Sequence, residues 1–122
     1  MIRYREVLGK KLRLLREIYS ETHGINFTQE MLADVLNYKS NGGISLVESG
    51  KRGMSQDRIM KAADFFDIEH AALFSARDMS KAELKSRINL TVAYRNKSNL
   101  LPAIEELLEK AAQQAQKPTI VE

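Results

Sequence analysis

The chain of 122 residues has no cysteine, no tryptophan, two prolines and two histidines. Without cysteine there is no disulfide framework and no thiolate chemistry, and the isolated His23 and His70 do not suffice for a structural zinc site. No apolar run approaches the roughly 20 residues that a bilayer span requires, and the start MIRYREVLGKK lacks the apolar core of a signal peptide. These absences predict a cytoplasmic protein with no membrane segment, metal ion or other cofactor.

Signatures of catalysis are equally scarce. The chain shows no Ser/His/Asp spacing and no cluster of metal ligands, and Gly42-Gly43 is not followed by the Lys-Ser/Thr of a phosphate-binding loop. We therefore predict that the protein is not an enzyme. A hydrophobic content of 43% with 29% charged residues is ordinary for a globular protein, and the length suits one domain with an appendage.

The formal net charge is only +3, but the charge is unevenly placed. Lys and Arg exceed Asp and Glu in residues 1–53, whereas acidic residues are in excess in residues 54–79. This asymmetry gives mild support for a first half that faces a polyanion.

Residues 28–52, TQEMLADVLNYKSNGGISLVESGKR, are the most informative stretch. Thr28 caps a short helix that ends near Asn37-Tyr38, and Ser40 or Asn41 caps a second short helix that stops at Gly50. Two short helices joined by a tight turn, with cations just after the second, are the plan of a DNA-binding helix-turn-helix.

The anchor residues of this stretch resemble those of the lambda-repressor-like, or Xre, family. The family pattern TQ-x-x-LA recurs at residues 28–33, I-S-x-x-E-x-G-(K/R) at 44–52, and P/S-x-x-x-(L/I)-x-x-(L/A)-A at 55–63. These three parts of the pattern occur in order and at nearly the family's spacing. The resemblance covers roughly residues 8 to 74. The resemblance implies an all-α, five-helix domain that binds operator DNA and regulates transcription.

Apolar periodicity places the remaining helices of that domain. Residues 4–19 and 55–66 have helical stripes, residues 67–74 close with a short helix, and residues 20–27 form a loop longer than the family's. We interpret this loop as a surface extension, with an arm that touches DNA or a partner as the alternative. Five cations are expected to cover the exposed side of the first helix: Arg3, Arg5, Lys10, Lys11 and Arg13.

We assign residues 1–78 to the DNA-binding domain and residues 79–122 to a C-terminal dimerisation segment with a frayed tail. Ser80 and Glu83 form a capping box, and the pattern of residues 87–95 fits either a helix or one strand. The apolar stripe of this segment exceeds what a five-helix core needs, so it predicts a homodimer. The predicted interface comprises Leu84, Ile88, Val92, Leu100, Ile104, Leu107 and Leu108.

The resemblance also implies which residues touch DNA. Gln29 matches the family's backbone-binding Gln at a helix N-terminus, where phosphate is favoured, and Lys51 and Arg52 match positions after the second helix that contact the backbone. The N-terminal and outward side chains of the second helix face the major groove, and these are Lys39, Ser40, Asn41 and Ser45. Asn41 suits adenine, but it is also a candidate for the helix cap.

Three features of the second helix depart from the family pattern. One extra residue lies between Leu36 and Ile44, Gly42-Gly43 lowers helix propensity, and Leu46 replaces an outward polar residue. Leu46 either packs on a thymine methyl or belongs to a partner surface.

Two charged residues have a structural assignment. Arg16 and Glu48 match family positions that form an ion pair between the first and the recognition helix, so the resemblance implies that both are structural.

We therefore expect a homodimeric, sequence-specific repressor of phage or mobile-element type that binds an inverted-repeat operator in double-stranded DNA. One alternative is an antitoxin that autoregulates its operon and binds a toxin through its C-terminal segment. The candidate protein partners are a toxin or an antirepressor. Another alternative is a module that binds protein and not DNA, as an appendage of an enzyme.

Overall fold

The computed structural model describes residues 3–93, 95 and 109–111. The chain divides into two compact units, Met1–Thr91 and Val92–Glu122. The first unit contains α1 (Tyr4–His23), α2 (Gln29–Val35), α3 (Asn41–Glu48), α4 (Gln56–Phe65) and α5 (His70–Phe74). A sixth helix, α6, begins at residue 81 and continues to the end of this unit.

The fold is all-α, as predicted. In the second unit, residues 92, 93, 95 and 109–111 are helical, and no described residue lies in a strand. The helical alternative for the described part of residues 87–95 is therefore the correct one. None of the helices among these residues is long and apolar enough to span a membrane.

Side-chain caps begin three of the helices. The hydroxyl oxygens of Thr28, Ser55 and Ser80 accept hydrogen bonds from the backbone N–H three residues later, at 3.2, 3.3 and 3.1 Å. Each hydroxyl satisfies one of the N–H groups that a helix start leaves without a partner. Ser40 occupies the N-cap position of α3 but makes no side-chain capping bond, and Asn41 is the first helical residue.

Left-handed residues end four helices in the same way. After α1, α2, α3 and α4, the residues Gly24, Asn37, Gly50 and Asp67 have φ values of 65°, 61°, 78° and 58°. In each case the following N–H bonds a carbonyl near the helix end, as Tyr38 does to Ala33 at 2.8 Å. This αL termination turns the chain sharply, so consecutive helices pack against one another around one core.

The core of the first unit draws on all six helices. Leu8, Leu12 and Leu15 of α1 are fully buried against the apolar sides of the other helices. The rest of the buried cluster comprises Ile18, Phe27, Leu32, Ala33, Leu36, Ile44, Val47, Ile59, Ala62, Ala63, Phe66, Ile68, Ala72, Leu73, Met79 and Leu84.

The first helix is longer than predicted. It continues from the expected end at residue 19 to His23, where Gly24 adopts φ 65° and donates its N–H to the Ser20 carbonyl. His23 therefore lies in the last helical turn, with its ring 4.1 Å from that of Tyr19, rather than in a loop. The Ser20 hydroxyl accepts from the Phe27 N–H at 2.9 Å and holds the short connection to α2 against α1.

Lys11 is the one predicted surface cation that the fold buries completely. Its ammonium donates to the carbonyls of Ala72 and Ser75, both at 2.8 Å, and the Tyr4 hydroxyl donates to the Leu73 carbonyl at 2.7 Å. Helix α1 thus supplies donors to carbonyls that the end of α5 would otherwise leave unsatisfied. Burial lowers the Lys11 pKa, and the charge of Arg77 lowers it further.

The first unit extends past the predicted domain boundary at residue 78. Met79 is 3% exposed and Leu84 is fully buried in the same cluster as α1 and α5, with Ile88 packed beside them. Ion pairs hold α6 at its edges, because Lys81 pairs with Glu21 and Arg87 pairs with Glu69. Assigning Leu84 to a dimer interface was wrong, since its own subunit covers it.

Candidate nucleic-acid interface

Helix α3 has one buried side and one exposed side. Ile44 and Val47 are fully buried in the core, while Ser45 and Leu46 are exposed, Leu46 by 38% of its surface. Lys39, Ser40 and Asn41 are exposed at the start of the helix, and Lys51 and Arg52 are exposed after its end. All the residues predicted to meet base edges are therefore accessible.

Gln29, Glu48 and Arg16 meet at the boundary between α1, α2 and α3. Arg16 donates to both carboxylate oxygens of Glu48, from Nε at 2.6 Å and from Nη2 at 2.7 Å. The Gln29 amide Nε2 donates to Glu48 Oε1 at 3.0 Å, and Arg16 Nη1 donates to the Phe27 carbonyl at 3.2 Å. The structure thus brings Arg16 and Glu48 together and holds the Gln29 side chain beside the first turn of α2.

The contact between α1 and α3 depends on Gly9, which the sequence pattern did not single out. A Cβ atom at this position would lie 2.7 Å from the Glu48 carbonyl oxygen and closer still to that of Val47. The backbones of the two helices therefore approach too closely for any side chain at Gly9. Together with the Arg16–Glu48 pair, this approach fixes how α3 is presented.

The turn before α3 is held by Arg58 of α4, another residue that sequence reasoning missed. Arg58 donates from Nε to the Leu36 carbonyl and from Nη2 to the Asn37 carbonyl, both at 3.1 Å. Its guanidinium also lies over the Tyr38 ring, 3.9 Å from the ring centroid. A mixed run of Gln, Asp and Arg at the start of a helix gives no signal of such a contact, because the partners are backbone carbonyls and a ring that lie 20 to 22 positions away.

The start of α3 also borders a shallow cleft of about 280 Å³. Asn41 lines this cleft together with Lys39 and Ser40. The exposed acidic residues Glu30 and Asp34 of α2 also line it. Because Ser40 is the N-cap residue, the Asn41 side chain is not needed for capping and is accessible.

The predicted dimer residues fall into three groups. Leu84 is in the core, and Ile88 is half-buried against it. Val92 is half-buried and belongs to the second unit. Four of the predicted positions lie outside the described residues: Leu100, Ile104, Leu107 and Leu108. In the described part of the chain, no group of three or more His, Cys, Asp or Glu is placed to hold a metal ion.

Two short helices around a tight turn, with a core-facing and an exposed side on the second, define a helix-turn-helix domain. Residues 25–73 match a family model described as helix-turn-helix. This segment is a domain of the lambda-repressor, or Xre, type, the DNA-binding domain of transcription regulators of that family. Comparisons with curated proteins and with solved structures gave no match.

Proposed function

We propose that the protein is a homodimeric, sequence-specific repressor of phage or mobile-element type that binds an inverted-repeat operator. The observation that carries the proposal is the exposed side of α3. Its accessible polar residues project from a helix whose opposite side, Ile44 and Val47, is fixed in the core. A helix held in this way presents side chains to base edges in the major groove.

Backbone contacts complete the proposed interface. Gln29 lies in the first turn of α2, where unpaired backbone N–H groups favour a phosphate, and Glu48 orients its amide. Lys51 and Arg52 follow α3 and are exposed, which suits a second phosphate contact. Such contacts place the protein on the duplex, and the α3 residues then discriminate between sequences.

A dimer is proposed because one such domain buries only about 600–1,000 Å² on DNA, which is small for tight operator binding. With Leu84 in the core and Ile88 packed against it, the proposed interface rests on Val92 and on the apolar sequence pattern of Leu100, Ile104, Leu107 and Leu108. Two domains would then place their α3 helices about 34 Å apart on one side of the DNA. Repression follows if the operator overlaps a promoter. A protein with this function would lie with the nucleoid in the bacterial cytoplasm.

The direct test is binding to DNA that flanks the protein's own gene, followed by footprinting. We expect two protected half-sites related by a two-fold axis and a competitor-resistant complex. The variant Asn41→Glu with Ser45→Glu should lose binding. A matched variant, Ala82→Glu with Ser86→Glu, adds the same charge to exposed positions of α6 and should bind normally. Equal loss in both variants, or no preference for any sequence, would contradict the proposal.

Sedimentation of the full-length protein separates the proposed repressor from an antitoxin. The homodimer predicts a concentration-dependent mass of two chains, which a chain ending at residue 93 should lose. A monomeric full-length protein that binds DNA weakly would favour an antitoxin, whose C-terminal segment requires a different partner.

A further inference from the structure

Three residues surround the turn between α2 and α3 in an arrangement that the helix-turn-helix plan does not explain. Tyr38 is half-buried in the turn between α2 and α3, Gly43 lies in the first turn of α3, and Arg58 reaches across from α4. We propose that these residues form a clamp on the Tyr38 ring that sets the base selectivity of α3. The inference rests on the proposed DNA-binding function and names positioning residues for it.

One side of the clamp is the guanidinium of Arg58. It lies over the Tyr38 ring at 3.9 Å, within the range of a cation–π interaction, while its N–H groups bond the carbonyls of Leu36 and Asn37. These carbonyls belong to the left-handed end of α2, where Asn37 has φ 61°. Arg58 therefore holds both the backbone at the end of α2 and the ring that follows it.

The other side of the clamp is the backbone of α3 at Gly43. A Cβ atom here would lie 2.6 and 2.8 Å from Tyr38 Cδ1 and Cε1, so the ring rests directly on the helix backbone. At Gly42 the nearest atom to such a Cβ is Ser40 Oγ, at 3.5 Å, which is an ordinary contact. Of the two neighbouring glycines, only Gly43 is required for the ring to fit.

The clamp acts on the residues that the interface uses. Lys39, Ser40 and Asn41 are exposed and lie in the sequence between Tyr38 and Gly43, so both ends of this short segment are fixed by one ring. Within the described residues, no hydrogen bond of these three side chains holds them in position. The ring contact is therefore what determines where these side chains stand relative to the core.

The test compares operator and non-operator affinity in matched variants. Gly43→Ala should force the ring out of place, and Arg58→Lys keeps the charge but loses the flat, forked contact with ring and carbonyls. Each should reduce the ratio of operator to non-operator affinity by about tenfold, the scale of one misplaced base contact. Non-operator binding should stay within about twofold, since it depends on charge rather than on register.

The controls separate this positioning role from simple destabilisation. Loss of folded protein lowers both affinities together and leaves their ratio unchanged, so melting curves and the ratio are measured for every variant. Gly42→Ala and Tyr38→Phe should retain the wild-type ratio. In a Tyr38→Ala background the ring is absent, and Gly43→Ala should then have no further effect on the ratio.

The outcomes distinguish failure of the clamp from failure of the proposed function. If the wild-type protein shows no sequence preference, the proposed function is wrong. If the wild type is selective and Gly43→Ala and Arg58→Lys keep its ratio while folded, the clamp is overturned. A profile over single-base operator variants should show the losses confined to positions contacted by the start of α3, and a uniform loss at all positions would also overturn it.

Discussion

Arg16 and Glu48 are joined by two parallel hydrogen bonds of 2.6 and 2.7 Å that connect the middle of α1 to the last turn of α3. The Glu48 side chain is only 4% exposed and that of Arg16 17%. A charge pair with this much burial is sensitive to the loss of either partner, because the remaining charge stays away from water. The orientation of α3 therefore depends on a contact outside the proposed DNA interface.

Arg16→Met should destabilise the protein by about 3 kcal/mol, the lower end of the range for breaking a buried pair, because Arg16 keeps some solvent contact. Urea unfolding measures the change. Replacing both partners, Arg16→Met with Glu48→Leu, should recover part of the loss because no unpaired charge remains. Arg77→Met removes an exposed pair with Glu83 and should cost far less than Arg16→Met, because solvent screens an exposed ion pair. Similar losses for Arg16→Met and Arg77→Met would show that burial does not strengthen the Arg16–Glu48 pair.

Gly9→Ala should destabilise the domain by at least about 2 kcal/mol, because the added methyl group meets rigid backbone carbonyls of α3 and overpacks the contact. Gly42→Ala is the matched change in an open helical position and should stabilise by up to about 1 kcal/mol through helix propensity. Chemical denaturation of both variants gives the comparison. A Gly9→Ala protein as stable as the wild type would mean that α1 and α3 separate easily.

The starts of the helices could be predicted from the sequence because they depend on local hydrogen bonds. Thr28, Ser55 and Ser80 each bond an N–H three residues away, and this relation is visible in a short window of sequence. The exposed and buried sides of α3 followed from the same local periodicity. Prediction of these features needed no knowledge of tertiary packing.

The missed features depend on contacts between distant segments. Lys11 was expected on the surface because a lysine is seldom buried, but two carbonyls 61 and 64 positions later accept its hydrogen bonds. Similarly, the apolar stripe of Leu84 indicated a buried side of a helix without indicating what covers it. A stripe fits an intramolecular core and a dimer interface equally well, and only the fold shows that this residue is buried in the core of its own chain.

Leu84→Ala should destabilise the first unit by about 2–5 kcal/mol, because it leaves a cavity in a fully packed core. Leu90→Ala on the same helix alters a side chain that is 67% exposed and should change stability by no more than about 0.5 kcal/mol. Consistent with this, a chain ending at residue 78 should melt at a lower temperature than one ending at residue 93. Equal melting temperatures for these two chains would show that α6 contributes nothing to the first unit.

The buried Lys11 predicts a pH dependence of stability. Its pKa in the folded protein is lowered from the ordinary value of 10.5 by burial, so just below pH 10.5 the unfolded chain binds more protons than the folded one. The free energy of unfolding should therefore rise with pH across this window, by the Lys11 contribution. A neutral amine retains two N–H groups for the two carbonyls.

Because the pKa of Tyr4 is raised by burial, Tyr4 contributes in the opposite direction above pH 10. The difference between wild type and Lys11→Met at each pH isolates the lysine. That difference should move in favour of the wild type as pH rises toward 10.5. A constant difference in urea unfolding across this range would show that Lys11 titrates as it does in the unfolded chain.

Neutralising Lys51 and Arg52 to Gln tests the backbone contacts after α3. Each lost phosphate contact removes about one unit from the slope of log affinity against log salt concentration, because one fewer counterion is released. We expect binding to weaken by a similar factor for operator and non-operator DNA, with stability unchanged. The matched variant Lys81→Gln with Lys85→Gln removes the same charge from α6, where both residues pair with Glu21. The salt slope of this control variant should equal that of the wild type. If both variants lower the slope equally, binding is governed by net charge and not by the position of Lys51 and Arg52.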